Sequence, residues 1–252
     1  MVTYVRDTTG RFPQRPHYKP TELDRECEAI ITGFLKELYG TAAFPVSTDD
    51  LTKLIERDAS DLDCYADLSD FGEDVEGLTE FIRGRKPAVK IAARLSEDPR
   101  YENRLRTTMT HEFGHVRFHA YLWEINPPTP DLLRSNPTAN RQICKRETIV
   151  GAKEVDWMEW QAGYICGALL MPATPARRVV QGYMEERGLY GALAADSVEG
   201  SGAIHLIVDA FRVSQDAARV RLLQLGILSV GAPSASLLTP ALPLTIAESR
   251  RG

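Results

Sequence analysis

The residues best suited to chemistry are two histidines and a glutamate in the run His111-Glu112-Phe113-Gly114-His115. On a helix, residues four positions apart share a face, so both imidazoles can reach one tetrahedral zinc ion. Zinc lowers the pKa of a bound water to roughly 7, and a carboxylate beside that water can take its proton and later pass it to a leaving amine. The spacing therefore predicts a zinc peptidase site, with His111 and His115 as ligands and Glu112 as the catalytic base.

His119 continues the four-residue spacing and raises the question of a three-histidine site. At about 1.5 Å of rise per residue, His111 and His119 lie roughly 12 Å apart along a helix, which is too far to share one ion. We therefore expect His119 to support the site through another side chain, and a direct catalytic role or a surface position are the alternatives.

The third ligand must come from another segment, and residues 156–172 offer Glu159, with the small residue Ala162 three positions later. A glutamate on a second helix is the gluzincin arrangement, and small residues beside it let the metal helix approach. However, Asp156 and Glu159 also have the spacing of a capping box, in which Glu159 would only bond the start of its own helix. The residues alone leave both interpretations open.

Both motifs resemble those of the ImmA/IrrE family of metallopeptidases. The run from Thr110 to His115, followed by His119, is similar to the metal helix of the family. Its second signature is similar to residues 159–162 leading into 168–172, although Gly163 stands where the family usually has Asn. A later segment, 211–222, resembles its C-terminal helical element. The resemblance spans roughly 62–228.

This resemblance implies zinc ligation by His111, His115 and Glu159, with Glu112 as the base. It also implies a substrate, because members of the family are associated with cleavage or inactivation of helix-turn-helix repressors. A peptidase further needs a donor to stabilise the oxyanion of its tetrahedral intermediate. The sequence does not choose among four candidate donors: Tyr65, Tyr164, His119 and His205.

The surrounding pattern predicts an α+β fold, in which a small zincin-like domain packs a short antiparallel sheet on the metal helix and a helical, helix-turn-helix-like region follows. Helical periodicity and caps predict helices over 21–39 with Gly40 as the stop, from near Ser47, and over 107–123 and 156–171. Two or three more should follow Pro172, the last with Ser214 as its N-cap. Short apolar runs predict strands in 64–68, 75–82 and 88–95.

We expect four regions along the chain. They are a Pro-rich extended N-terminal arm (1–20), the metallopeptidase domain (21–172), a C-terminal helical region (173–229) and a flexible tail (230–252). The metallopeptidase domain carries an insertion at 124–156, whose Pro-rich first half is expected to be loop. The sequence assigns no role to the arm or the insertion.

Composition limits the function classes. The 252 residues carry a net charge of -5, and the charges in 208–225 nearly cancel, which argues against direct DNA binding. The sequence shows neither a secretory signal nor a run long enough to span a membrane, so we expect a cytoplasmic protein. Its cysteines form no CxxC pair and predict buried free thiols: Cys27, Cys64, Cys144 and Cys166. The alternative to an enzyme is a binding module that sequesters a repressor.

Overall fold

The structure is a computed structural model that describes residues 2–81, 84–125, 141–145 and 156–231. Within these ranges the chain is a mixed α+β protein. Its helices are α1 (Pro20–Tyr39), α2 (Thr48–Asp58), α3 (Ala93–Glu97), α4 (Glu102–Phe118), α5 (Tyr121–Ile125), α6 (Trp157–Leu170), α7 (Ala173–Glu186), α8 (Val198–Phe211) and α9 (Gln215–Gln224). Its strands are β1 (Thr3–Arg6), β2 (Gln14–His17), β3 (Asp61–Ala66), β4 (Val75–Glu80), β5 (Ala88–Ala92), β6 (Arg141–Lys145), β7 (Leu193–Ala194) and β8 (Leu228–Ser229).

Several helices begin or end at the capping residues that the sequence predicted. Gly40 ends α1 with a left-handed φ of 74° and donates its N–H to the carbonyl of Lys36. The Ser47 side chain accepts the N–H of Asp50 at the start of α2. Ser214 does the same for Ala217 at the start of α9. The predicted helices over 21–39, from Ser47 and from Ser214 are therefore confirmed.

The predicted metal helix over 107–123 has different bounds in the structure. It begins earlier, at Glu102, and ends at Phe118, and α5 starts only at Tyr121. The break redirects the chain so that Trp123 packs at 3.6 Å, ring centroid to centroid, on Phe81 and at 4.9 Å on Phe12. Periodicity alone could not reveal this turn, because buried residues lie on both sides of it: Phe118 before the break, and Leu122 and Trp123 after it.

The central sheet has the strand order β3-β5-β4-β6. Strand β4 runs antiparallel to β5 and β6, but β3 pairs parallel with β5, so the expectation of a purely antiparallel sheet is wrong. The difference arises because β4, which follows β3 in the chain, does not pair with it. Strand β5 lies between them, antiparallel to β4 and therefore parallel to β3. Strand β6 lies in the 124–156 insertion and was not predicted, while 126–140 and 146–155 are outside the described residues.

The N-terminal segment is not the unpacked arm that its prolines suggested. Strands β1 and β2 form an antiparallel hairpin, and the loop between them buries Phe12 and Asp7. Asp7 accepts hydrogen bonds from the N–H groups of Thr9 and Phe12 and from Nε1 of Trp157 in α6. The hairpin is packed because it covers an apolar surface formed by distant residues, which the local composition does not show.

The main hydrophobic core contains side chains of α1, α2, α4 and α6 together with those of α7, α8 and α9. It continues across the expected boundary near residue 172. Arg221 of α9, only 1% exposed, joins the two parts by donating Nε–H to the carbonyl of Met171 and pairing with Asp24 of α1 at 2.8 Å. No helix in the described part of the chain has the length and apolar character needed to cross a bilayer. Of the expected tail, 232–252 lie outside the described residues.

Candidate metal centre

Two helices with small residues at their contact bring the site together. A Cβ atom on Gly114 of α4 would lie 3.3 Å from Cα of Ala162 and 3.3 Å from Cγ2 of Ile165 in α6. Glycine thus lets the α4 backbone approach the α6 backbone to a distance that side chains would otherwise prevent. Because His111 and His115 flank Gly114, this approach directs them towards the first turn of α6.

The histidines meet Glu159 in that first turn. Nε2 of His111 lies 3.2 Å from Oε2 of Glu159, and Nε2 of His115 lies 3.2 Å from its Oε1. The two Nε2 atoms are themselves 3.2 Å apart. The three side chains are buried, at 0%, 0% and 4% exposure, and could hold a metal ion.

These separations can be compared with the geometry of a tetrahedral metal site. Zinc bonds to nitrogen and oxygen are about 2.0–2.1 Å long, so two ligand atoms on one zinc ion lie roughly 3.3 Å apart. The separation of 3.2 Å between the two Nε2 atoms is close to this value, and each Nε2 atom lies at the same distance from one of the two carboxylate oxygens of Glu159. The residues therefore fit a shared metal ion, and two imidazoles with one carboxylate are a donor set that zinc accepts.

The structure also shows which residue caps the start of α6, Asp156 or Glu159. The side chain of Asp156 caps α6 by accepting the N–H groups of Met158 at 3.2 Å and Glu159 at 3.5 Å. The carboxylate of Glu159 meanwhile contacts both histidines. Asp156 thus caps the helix, while the carboxylate of Glu159 contacts His111 and His115.

Electrostatics within the cluster favour a bound cation. Burial by itself raises the pKa of Glu159, but the contacts with His115 and His111 outweigh it and hold that pKa well below the usual range. Burial lowers the pKa of His111, but its hydrogen bond with Glu159 outweighs this and the pKa is raised. The buried carboxylate of Glu159 therefore favours positive charge beside it, which a bound metal ion would supply.

Glu112 lies beside the cluster, under strand β4. The hydroxyl of Thr79 donates to its Oε2 at 2.5 Å, and a Cβ atom on Gly77 would lie 2.9 Å from both its Cγ and its Cδ. Complete burial raises the pKa of Glu112, which makes the carboxylate a better proton acceptor. Glu112 is thus held by β4 in the position next to the two histidines, without contributing to the metal cluster.

His119 contacts His115 and is not one of the three clustered residues. Its Nδ1 lies 3.0 Å from Nδ1 of His115, and its Nε2 lies 3.0 Å from Oε1 of Gln161. Burial, with a smaller contribution from the charge of His115, lowers the pKa of His119 to about 3, so this imidazole is neutral. His119 therefore lies in the supporting position that the helical spacing indicated.

The other three candidate oxyanion donors are exposed or contact residues outside the metal cluster. Tyr65 is 67% exposed on β3. The hydroxyl of Tyr164 donates to Oδ1 of Asp24, and burial raises its pKa to about 12. His205 is exposed on α8 and lies within hydrogen-bond distance of Gln215. Among the described contacts, none joins these side chains to the metal cluster.

Gly77, Thr79 and Gln161 all contact site residues, and none of them was predicted to do so. A single glycine inside a predicted strand is a signal of close backbone approach, so Gly77 could have been singled out. Thr79 and Gln161 carried no such signal, because nothing in their local sequence shows which side chain they face.

The chain was also compared with known proteins. No family model matches it, and no curated protein matches it. Conclusions about the site therefore rest on its residues and their geometry.

Proposed function

We propose that this protein is a zinc-dependent metallo-endopeptidase. One observation above all supports the proposal: the Nε2 atoms of His111 and His115 and the carboxylate of Glu159 lie 3.2 Å apart in a buried cluster, with Glu112 beside it. Two histidines and one carboxylate are the protein ligands of several zinc peptidases and leave a fourth coordination position open, as a catalytic site requires.

Each side chain has a distinct role in this proposal. When bound, zinc supplies Lewis-acid chemistry: it lowers the pKa of water and polarises a carbonyl oxygen. Glu112 takes a proton from the attacking water and delivers it to the leaving amine nitrogen as the C–N bond breaks. Thr79 holds one carboxylate oxygen of Glu112 by a hydrogen bond of 2.5 Å and so orients the base.

The proposal extends to the type of fold, the substrate and the location of the protein. A metal helix under a small mixed sheet, with a glutamate ligand on a second helix, supports a zincin-like fold of the ImmA/IrrE type. Helices α8 and α9 are joined by three residues, 212–214, a spacing typical of helix-turn-helix units. We propose a helix-turn-helix repressor as the substrate, on the strength of the family resemblance, and a cytoplasmic location.

Two other functions are less well supported. A module that only sequesters a repressor has no use for Glu112, a buried carboxylate oriented beside the cluster by Thr79. Direct DNA binding through α9 would need a basic face, yet Arg221 is buried and paired with Asp24, and the exposed Arg219 shares the helix with the exposed Asp216. Enzyme activity accounts for more of the structure than either alternative.

The test compares wild type with Glu112→Gln, which keeps the size of the side chain but removes the proton acceptor. Each form is incubated with zinc and a helix-turn-helix repressor encoded beside its gene, and shortened fragments are sought by mass spectrometry. Glu102→Gln, an exposed glutamate at the start of the same helix, is the control.

We expect wild type and Glu102→Gln to bind zinc and cleave the repressor. Glu112→Gln should bind zinc but cleave about 10² to 10⁴ times more slowly. Derepression of the promoter by Glu112→Gln at wild-type strength, with the repressor intact, would instead support the sequestering module.

A further inference from the structure

A continuous line of hydrogen-bonding groups joins the N-terminal hairpin to the metal centre. The carbonyl oxygen of Pro16 in β2 lies 3.0 Å from Nε2 of Gln161 in α6. Oε1 of Gln161 lies 3.0 Å from Nε2 of His119, whose Nδ1 lies 3.0 Å from Nδ1 of His115. All four residues are buried, so water does not compete for these contacts.

The Pro16 carbonyl, at one end of this line, fixes the direction of every hydrogen bond in it. A carbonyl oxygen only accepts, so the amide nitrogen of Gln161 donates to Pro16 and the amide oxygen faces His119. That oxygen has no hydrogen, so Nε2–H of His119 donates to it. In the tautomer with its one ring hydrogen on Nε2, His119 carries a lone pair on Nδ1 and accepts Nδ1–H from His115. In that tautomer Nε2 of His115, the atom that faces His111 and Glu159, carries the lone pair that a metal ligand needs.

We propose that Gln161 and the Pro16 carbonyl are positioning groups that hold His115, through His119, in the tautomer and ring orientation that a metal ligand needs. This inference rests on the proposed function, because it assumes that Nε2 of His115 binds a metal. It assigns the N-terminal hairpin a role as part of the metal centre. Partners on the second nitrogen of a ligating imidazole commonly set its tautomer and basicity.

The packing of the hairpin makes the Pro16 carbonyl a fixed acceptor. Asp7 accepts the indole N–H of Trp157 at 3.1 Å, and Phe12 packs edge-on against Trp123 and Trp157. These contacts hold the hairpin on the N-terminal end of α6, which carries Glu159 and Gln161. The hairpin therefore anchors a ligand helix and orients a hydrogen-bond relay to the other ligand helix.

The first test uses two substitutions of His119 that differ in hydrogen bonding. In His119→Asn, Oδ1 occupies nearly the position of the imidazole Nδ1 and can accept from His115, whereas His119→Leu offers no acceptor. Zinc affinity is measured by chelator competition, and the tautomer of His115 is read from its ring ¹⁵N chemical shifts. We expect His119→Leu to lose about 10- to 100-fold in zinc affinity and to change the ¹⁵N pattern. His119→Asn should recover most of both.

The second test addresses Gln161. Gln161→Met keeps the side-chain volume but removes both the acceptor and the donor, and Gln181→Met, at an exposed glutamine of α7, is the matched control. We expect Gln161→Met to weaken zinc binding and to alter the ¹⁵N shifts of His115, and the control to change neither.

The outcomes separate this inference from the proposed function. If wild type binds zinc but His119→Asn and His119→Leu lose affinity equally, or Gln161→Met behaves as wild type, the relay is wrong and the peptidase proposal stands. If wild type binds no zinc, the metal assignment itself fails, and the relay fails with it.

Discussion

Strand β4 passes so close to the metal helix that a Cβ atom on Gly77 would lie 2.9 Å from Cγ and Cδ of Glu112. Two residues further along the same strand, the hydroxyl of Thr79 donates to Oε2 of that carboxylate at 2.5 Å. The strand therefore both makes room for Glu112 and orients it. This relationship defines how the sheet contributes to the site.

Gly77→Ala should displace the Glu112 side chain while leaving the metal cluster in place. Because the proposed base then loses its alignment, we expect peptide hydrolysis to fall by up to the roughly 10² to 10⁴ that a general base contributes, with zinc content unchanged. Steady-state kinetics with metal analysis on the same samples measures both. Chemical denaturation supplies a control: the stability cost of Gly77→Ala should disappear in a Glu112→Ala background, and equal costs in both backgrounds would contradict steric displacement.

Glu159→Gln should weaken zinc binding strongly, because a neutral amide is a poor substitute for an anionic ligand. Asp156→Ala is the matched comparison one turn away, since Asp156 caps α6 without facing the cluster. We expect Asp156→Ala to lower the free energy of unfolding by about 1 kcal/mol and to leave zinc affinity near wild type. Chelator titration and denaturant unfolding of both variants test the division of roles, which full zinc affinity in Glu159→Gln would refute.

Gly114→Ala should reduce both stability and zinc affinity. The new Cβ would lie 3.3 Å from Cα of Ala162, a backbone atom that cannot move without shifting α6 and Glu159 with it. Gly33→Ala is the control, because this exposed glycine inside α1 has open space around its Cβ position and should gain about 0.5–1 kcal/mol in unfolding free energy. Denaturant unfolding and zinc titration compare the two. A Gly114→Ala protein as stable as Gly33→Ala would show that the helices have room to spare.

Asp7 should make the hairpin sensitive to acid. Burial alone raises its pKa, but hydrogen bonds from Thr9, Phe12 and Trp157 outweigh this, so the pKa in the folded protein is lowered. The stabilisation is therefore fully present above the unfolded pKa of about 3.9 and is lost as pH falls through the lower folded value. We expect Asp7→Asn to be less stable than wild type at pH 7, with the difference shrinking below about pH 4 in urea unfolding. A difference that stays constant down to pH 2 would contradict this assignment.

What the sequence determined by itself is local in origin. The spacing of His111, Glu112 and His115 places them together on any helix, because the helical repeat relates residues four apart whatever surrounds them. The caps at Gly40, Ser47 and Ser214 likewise satisfy backbone groups within a few residues, so the helices they bound were predictable.

Only the tertiary structure decided which distant residues complete the site. Glu159 was open to a capping role until the contact of Gly114 with Ala162 brought its carboxylate to the histidines. The parallel pairing of β3 with β5, the strand β6 and the packing of the hairpin were likewise not predicted. Each depends on which surface a segment meets across the fold, and local periodicity carries no information about that partner. The line from Pro16 to His115 joins residues about a hundred positions apart in sequence, and only the packed chain brings them within hydrogen-bonding distance.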